Sequence, residues 1–258
     1  MRPLTAMAFG VLLVASPRLA RAEGDQPEGG RSPAVVPAAA SSGAFLPTTM
    51  GARTDARGWV STLGGYDAAR KSALVLGTAG VNVFGPIDLQ AGALFTEGTG
   101  TLRPSFGARV RLLGERRHGI DGAAAVFYRP QGLTEGEGEL ELVLAAARHF
   151  GRLGTFANVV YGQDPEAAER DGEVRLAALY AIREDLHAGA DLRVRFDLGS
   201  EGGRRAAKQE AGADLLALGT ASYSLGPVAL SASAGLSAVK LATIHTGAAA
   251  LAGLGTAF

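Results

Sequence analysis

From Arg57 to Phe258 the chain alternates apolar and polar positions with period two, the pattern of extended segments whose two faces meet different surroundings. Taking the more apolar parity of each segment as its outward face, twelve strands are predicted. The first, Gly58 to Gly65, is the weakest and sends out Trp59, Ser61 and Leu63. The second, Ser72 to Phe84, sends out Val75, Ala79, Val81 and Val83, and the third Ile87, Leu89, Ala91, Ala93 and Phe95 against Asp88, Gln90 and Gly92. In the fourth, Leu102, Phe106, Ala108, Val110 and Leu112 oppose Arg103, Ser105, Gly107, Arg109 and Arg111, an arrangement no water-soluble helix makes. Ile120, Ala124, Val126 and Tyr128 mark the fifth, and the sixth sets Leu140, Leu142, Leu144 and Ala146 against Glu139 and Glu141. Leu153, Thr155, Ala157, Val159 and Tyr161 form the seventh face; Val174, Leu176, Ala178, Tyr180 and Ile182, opposed by Glu173 and Arg175, form the eighth. The ninth is the clearest, with Leu186, Ala188, Ala190, Leu192, Val194 and Phe196 opposed by His187, Gly189, Asp191, Arg193 and Arg195. The tenth, from about Ala211 to Ser224, has no decided face, because Leu215, Ala217 and Tyr223 compete with Leu216 and Leu218. The eleventh sends out Val228, Leu230, Ala232, Ala234, Leu236 and Ala238, and the last runs from Ile244 to Phe258.

The connections alternate in length. Phe84-Gly85-Pro86, Phe150 to Gly154 and Leu225-Gly226-Pro227 read as tight turns, with Gly114 to His118 and Arg183 to Asp185 also short. The intervening connections are longer and polar: Tyr66 to Lys71, Glu97 to Thr101, Arg129 to Gly138, Gln163 to Gly172, Gly199 to Gln209 and Lys240 to Thr243. The contrast is a tendency, since the first, second and last of these are modest. A final strand such as Ile244 to Phe258 needs ladder partners on both sides, which it obtains by closing a barrel onto the first strand. No segment after Arg57 offers the run of about 18 apolar residues that a spanning helix requires, whereas most of the strands reach the roughly 9 to 11 residues that span a bilayer at barrel tilt. The expected fold is all-β: a transmembrane antiparallel up-and-down barrel of about twelve strands over residues 57–258. A soluble β-sandwich or small ligand-binding barrel is the alternative, with the apolar face turned inward.

A terminal Phe ending an apolar-alternating strand resembles the C-terminal strand of bacterial outer-membrane β-barrels. The short-turn rim carrying both termini and the longer-loop rim opposite agree with that superfamily's arrangement of periplasmic turns and outer loops. The resemblance implies that Leu254, Thr256 and Phe258 form an assembly signal read by the barrel assembly machinery. It also implies outer-membrane lipid and lipopolysaccharide as surroundings.

Met1 to Ala22 reads as a secretory signal peptide, with Arg2, an apolar core from Ala6 to Ala15, and Ala20-Arg21-Ala22 before Glu23. Residues 23–56, rich in Pro, Ala, Ser and Gly, read as a disordered linker. The chain carries no cysteine and zero formal charge, so disulfides and thiolate chemistry are excluded and nucleic acid is not an expected partner. Its 37 glycines in 258 residues suit small-residue strands better than a thick soluble core.

The inward charges are the chemistry on offer. Strands four, eight and nine contribute Arg109, Arg111, Arg175, Arg193 and Arg195; strands three, five and six contribute Asp88, Asp121, Glu139 and Glu141, with Asp191 also inward. Two arrangements stay open. Opposed basic and acidic walls would set a transverse field across a water-filled lumen and select small polar or anionic solutes. Charges paired between neighbouring strands would instead make a closed internal network, in a structural or surface-exposed barrel. No cofactor and no metal site is expected, the four histidines lacking ligand spacing. Ser237 and His245 raise a lipid-hydrolase reading, but both point inward, where a nucleophile cannot meet lipid.

Overall fold

The computed structural model describes residues 57–97, 101–130, 138–163, 170–199, 212–240 and 243–258. The segments read as signal peptide and linker lie outside those residues, as do the interiors of the longer loops other than Tyr66 to Lys71. Twelve strands follow one another: β1 (Gly58–Asp67), β2 (Ser72–Phe84), β3 (Ile87–Thr96), β4 (Thr101–Leu113), β5 (Asp121–Pro130), β6 (Gly138–Phe150), β7 (Leu153–Gln163), β8 (Arg170–Ala181), β9 (Leu186–Gly199), β10 (Ala213–Leu225), β11 (Val228–Lys240) and β12 (Ile244–Ala257). Each pairs antiparallel with the next, and β12 pairs with β1 to close the barrel. The expected Gly114–His118 turn contains one short helix, α1 (Glu115–His118), ended by Gly119 in the left-handed region. Among the described residues no helix is long and apolar enough to cross a membrane.

Closure leaves no edge strand and satisfies every ladder within the wall, which is what lets strands sit in hydrocarbon. The outer surface fits that medium. Val75, Leu89, Val110, Val126, Leu142, Val159, Leu176, Leu215 and Leu230 are exposed on the outside, where a soluble protein would bury them. Aromatic side chains mark the two rims. Tyr66, Phe95, Tyr128 and Tyr161 are exposed near the loop ends of their strands, and Phe84, Phe150, Tyr180, Tyr223 and Phe258 near the turn ends. An apolar band between two aromatic girdles is the surface of a membrane-spanning barrel. The soluble alternative is thereby overturned.

One face assignment is reversed and one left open is settled. On β1 the expected outward residues Trp59 and Leu63 face the interior: Trp59 is buried and Leu63 packs against Leu216, Leu218, Ala249 and Leu251. The bulkier parity misled because the indole needs floor space that a neighbour supplies. A Cβ at Gly80 on β2 would lie 2.5 Å from Trp59 Nε1, so only glycine leaves room for the ring. The undecided β10 turns Leu215 and Tyr223 outward, and buries Leu216 and Leu218. Its inward side then carries Asp214, Thr220 and Ser222, all buried.

The interior wall is divided. Ala123, Ala145, Ala147, Phe156, Ala177 and Leu179 form an apolar patch on β5 to β8, beside a second of Ala125, Val143 and Val160. The third apolar cluster, which holds Leu63, runs over β10, β12, β1 and β2. Most of the charges occupy the rest, at the two ends, with Asp191 between them.

Candidate functional site: an interior charge network

At the loop end, inward positions of neighbouring strands interlock as carboxylate and guanidinium. Arg193 on β9 donates from Nη2 to Asp214 Oδ2 on β10 at 2.6 Å, and its Nε lies 3.9 Å from Glu173 Oε1 on β8. Glu173 Oε1 also accepts from Arg175 Nε at 2.5 Å. Arg195 pairs with Asp171, the residue two before Glu173, and Arg129 on β5 meets Glu141 Oε1 on β6 at 2.8 Å. Each of these residues has the inward parity of its strand, and the strands' antiparallel register brings their loop ends to one level. Glu139 lies one inward step from Glu141. Its Oε1 and Asp171 Oδ1 both overhang Gly162 on the intervening β7, where any Cβ would collide with them.

The network extends to the barrel seam through residues the sequence did not single out. Arg70, in the connection between β1 and β2, donates to Asp214 Oδ2 and, at 2.7 Å, to Asp67 Oδ2. Ser237 on β11 donates to Asp67 Oδ1 at 2.5 Å. The signal was faint: Asp67 and Arg70 read as polar loop residues, and Asp214 sits on the strand whose face was undecided.

The turn end carries a second, separate set. Arg109 on β4 donates from Nε (2.9 Å) and Nη2 (2.6 Å) to Asp88 Oδ2 on β3, and Asn82 on β2 donates to Asp88 Oδ1 at 3.0 Å. Arg109 is 1% exposed and Asp88 4%, so the pair is sealed from solvent. Glu115 of α1 accepts from the His149 backbone amide and meets His149 Nδ1, both at 2.7 Å, while Asp121 Oδ1 accepts the Glu115 amide at 2.8 Å. His149, unpartnered by sequence spacing, thus has a carboxylate at hand.

All the expected site residues but Asp191 therefore fall into two places. Arg175, Arg193, Arg195, Glu139 and Glu141 come together at the loop end, whereas Arg109 lies at the turn end and Arg111 is exposed on that rim. Asp191 is buried between them, in register with Ala177 and Leu218. Opposed basic and acidic walls are not formed. Apart from Arg70, which reaches Asp214 across the seam, basic and acidic groups pair within a strand or between adjacent ones, because at inter-strand spacings of about 5 Å a carboxylate next door offsets a guanidinium's desolvation better than one across the barrel. Ser237 and His245 do not meet either: Ser237 stands opposite Gly247 in the ladder and bonds Asp67, while His245 Nε2 lies 3.1 Å from Thr243 Oγ1. Among the described residues no group of three or more His, Cys, Asp or Glu side chains is placed to hold a metal ion.

No family model matches the chain, and no curated protein matches it. Solved structures do resemble it in fold. The NanC porin superposes with a TM-score of 0.58 at 7% identity, covering 77% of this chain and 100% of its own. An outer membrane channel from Pseudomonas putida F1 gives 0.52 at 11% identity, covering 80% and 97%. LpxR from Salmonella typhimurium gives 0.50 at 7%, covering 78% and 100%. At such identities the likeness is one of architecture.

Proposed function

We propose, starting from a barrel whose fold is that of outer-membrane channels, that this protein is a passive outer-membrane channel for small polar solutes, anionic ones included. The observation that carries the reading is the inside-out distribution of charge. A closed barrel with an apolar exterior gathers Arg129, Glu141, Glu173, Arg175, Arg193, Arg195 and Asp214 on its inner wall near one mouth. Lining of that kind supports passage of hydrated solutes, since guanidinium groups stay charged at any working pH and offer paired donors to anionic oxygens. Ser237, the network's hydroxyl, is bonded to no histidine and donates to a carboxylate that Arg70 also engages, so the channel is read as non-enzymatic. Export through the Met1–Ala22 signal peptide, insertion by the barrel assembly machinery, and lipid and lipopolysaccharide as neighbours belong to the same proposal.

Single-channel recording in a planar bilayer under a salt gradient tests it. The native barrel conducts, and Arg193→Glu/Arg195→Glu moves the reversal potential toward cation preference. The second reading, a non-conducting structural barrel, is favoured by the pairing of those same arginines. A native protein that inserts and passes no current establishes it.

A further inference from the structure

The connection between β1 and β2 does not rise away from the loop rim; it turns into the barrel. Asp67 Oδ1 accepts the backbone amides of Ala69 (2.9 Å) and Arg70 (3.3 Å), a local turn that bends the chain just past the end of β1. Lys71, at φ 53°, reverses it into Ser72. Ala68 extends the seam by donating to Ala248 O at 2.9 Å. The backbone then crosses the inner face of β12 at Gly247, where a Cβ would come within 2.7 Å of Ala68 C and closer still to Ala69 N. Beyond Gly247 the Arg70 side chain passes β11, where Ser237 holds Asp67, and ends on Asp214 of β10. From β1 to β10 is three inter-strand steps out of twelve, a quarter of the rim. At about 4.8 Å per step the tip covers roughly 14 Å of wall. Val239, next to Asp214 in the ladder and near the loop end of β11, is 3% exposed.

We propose that this hairpin tip is the constriction of the loop-side mouth, and that Arg70 is its latch and a cation that solutes meet there. The effect on solutes rests on the channel reading; the latch itself does not. Burial works against the Arg70 charge, but the carboxylates of Asp214 and Asp67 outweigh it and hold its guanidinium above its ordinary pKa, so the latch stays protonated. Asp214 Oδ2 accepts from both Arg70 and Arg193. When Arg70 leaves, Arg193 still pairs that oxygen, and Asp67 keeps Ser237. Opening therefore strands no buried carboxylate, the cost that usually makes a buried ion pair hard to break.

The chain has no cysteine, so a single Val239→Cys reports on the tip without background. A membrane-impermeant thiol reagent should modify it slowly in the otherwise native barrel. Two independent changes should speed it: Arg70→Gln, which removes the latch, and Gly247→Ala, which evicts the backbone by contact and leaves every charge in place. Heat-modifiable gel migration confirms that each variant is a folded barrel. Equal modification rates in all three, fast or slow, overturn the proposal. In bilayer recordings Arg70→Gln should also raise conductance and shift selectivity toward cations; unchanged values in a conducting barrel count against the constriction. A native barrel without current defeats the channel reading instead, and the modification rates still decide the latch.

Discussion

The sealed pair Asp88–Arg109 shows what single residues do in this barrel. Its two charges lie in the wall with Asn82 completing the carboxylate's bonds, and the two partners are not equivalent to a surface ion pair. Arg109→Met leaves a buried carboxylate with only Asn82, which costs about 3 kcal/mol. We expect urea unfolding from lipid vesicles to shift by that amount, and the double variant Asp88→Asn/Arg109→Met to recover most of it. A single variant as stable as the native protein would show that the pair contributes nothing. At this scale the sequence was legible in part. The parity of β9 placed Arg193 and Arg195 inward correctly, because six apolar residues alternate there without interruption. Trp59 was assigned to the wrong face, because hydrophobicity alone does not distinguish a lipid-facing indole from one laid over a glycine of the next strand. Arg70 was not found at all: its partner Asp214 lies 144 residues away, and no periodicity connects them.

Elements were more legible than contacts. Strand existence followed from alternation and tight turns from glycine: Gly85, Gly151 and Gly226 all adopt the positive φ that a two-residue reversal asks for. Depth along the barrel was not legible, since it depends on register and stagger. That is why Arg109 and Arg193, both inward, were not separable by sequence into opposite ends. The seam is the element whose packing is most exposed to test. Gly58 and Phe258 exchange backbone hydrogen bonds of 2.9 and 3.0 Å, and the Phe258 ring lies over Gly58, where a Cβ would stand 2.7 Å from a ring carbon. Phe258→Asp puts a charge on the lipid side of that joint, beside the outward Thr256 and Leu254. The variant should accumulate poorly as folded, heat-modifiable barrel and be degraded, as read by immunoblot of membrane fractions. Native levels of folded variant would remove Phe258 from assembly.

For the molecule as a whole the organising fact is inversion: apolar residues outside, ion pairs inside, aromatic rings at both rims. Everything proposed about passage and gating presupposes it. Strand β9 offers the most direct test, because its alternation is uninterrupted and the chain has no native thiol. Single cysteines at successive positions from Leu186 to Phe196, each carrying a small fluorophore, are reconstituted in bilayers whose acyl chains bear a quencher. Quenching of period two is expected, strong at Ala188, Ala190, Leu192 and Val194 and weak at His187, Asp191 and Arg193; Gly189 is left in place, because a Cβ there would collide with the Ala178 carbonyl oxygen. Quenching of the opposite parity, or none at any position, would contradict it.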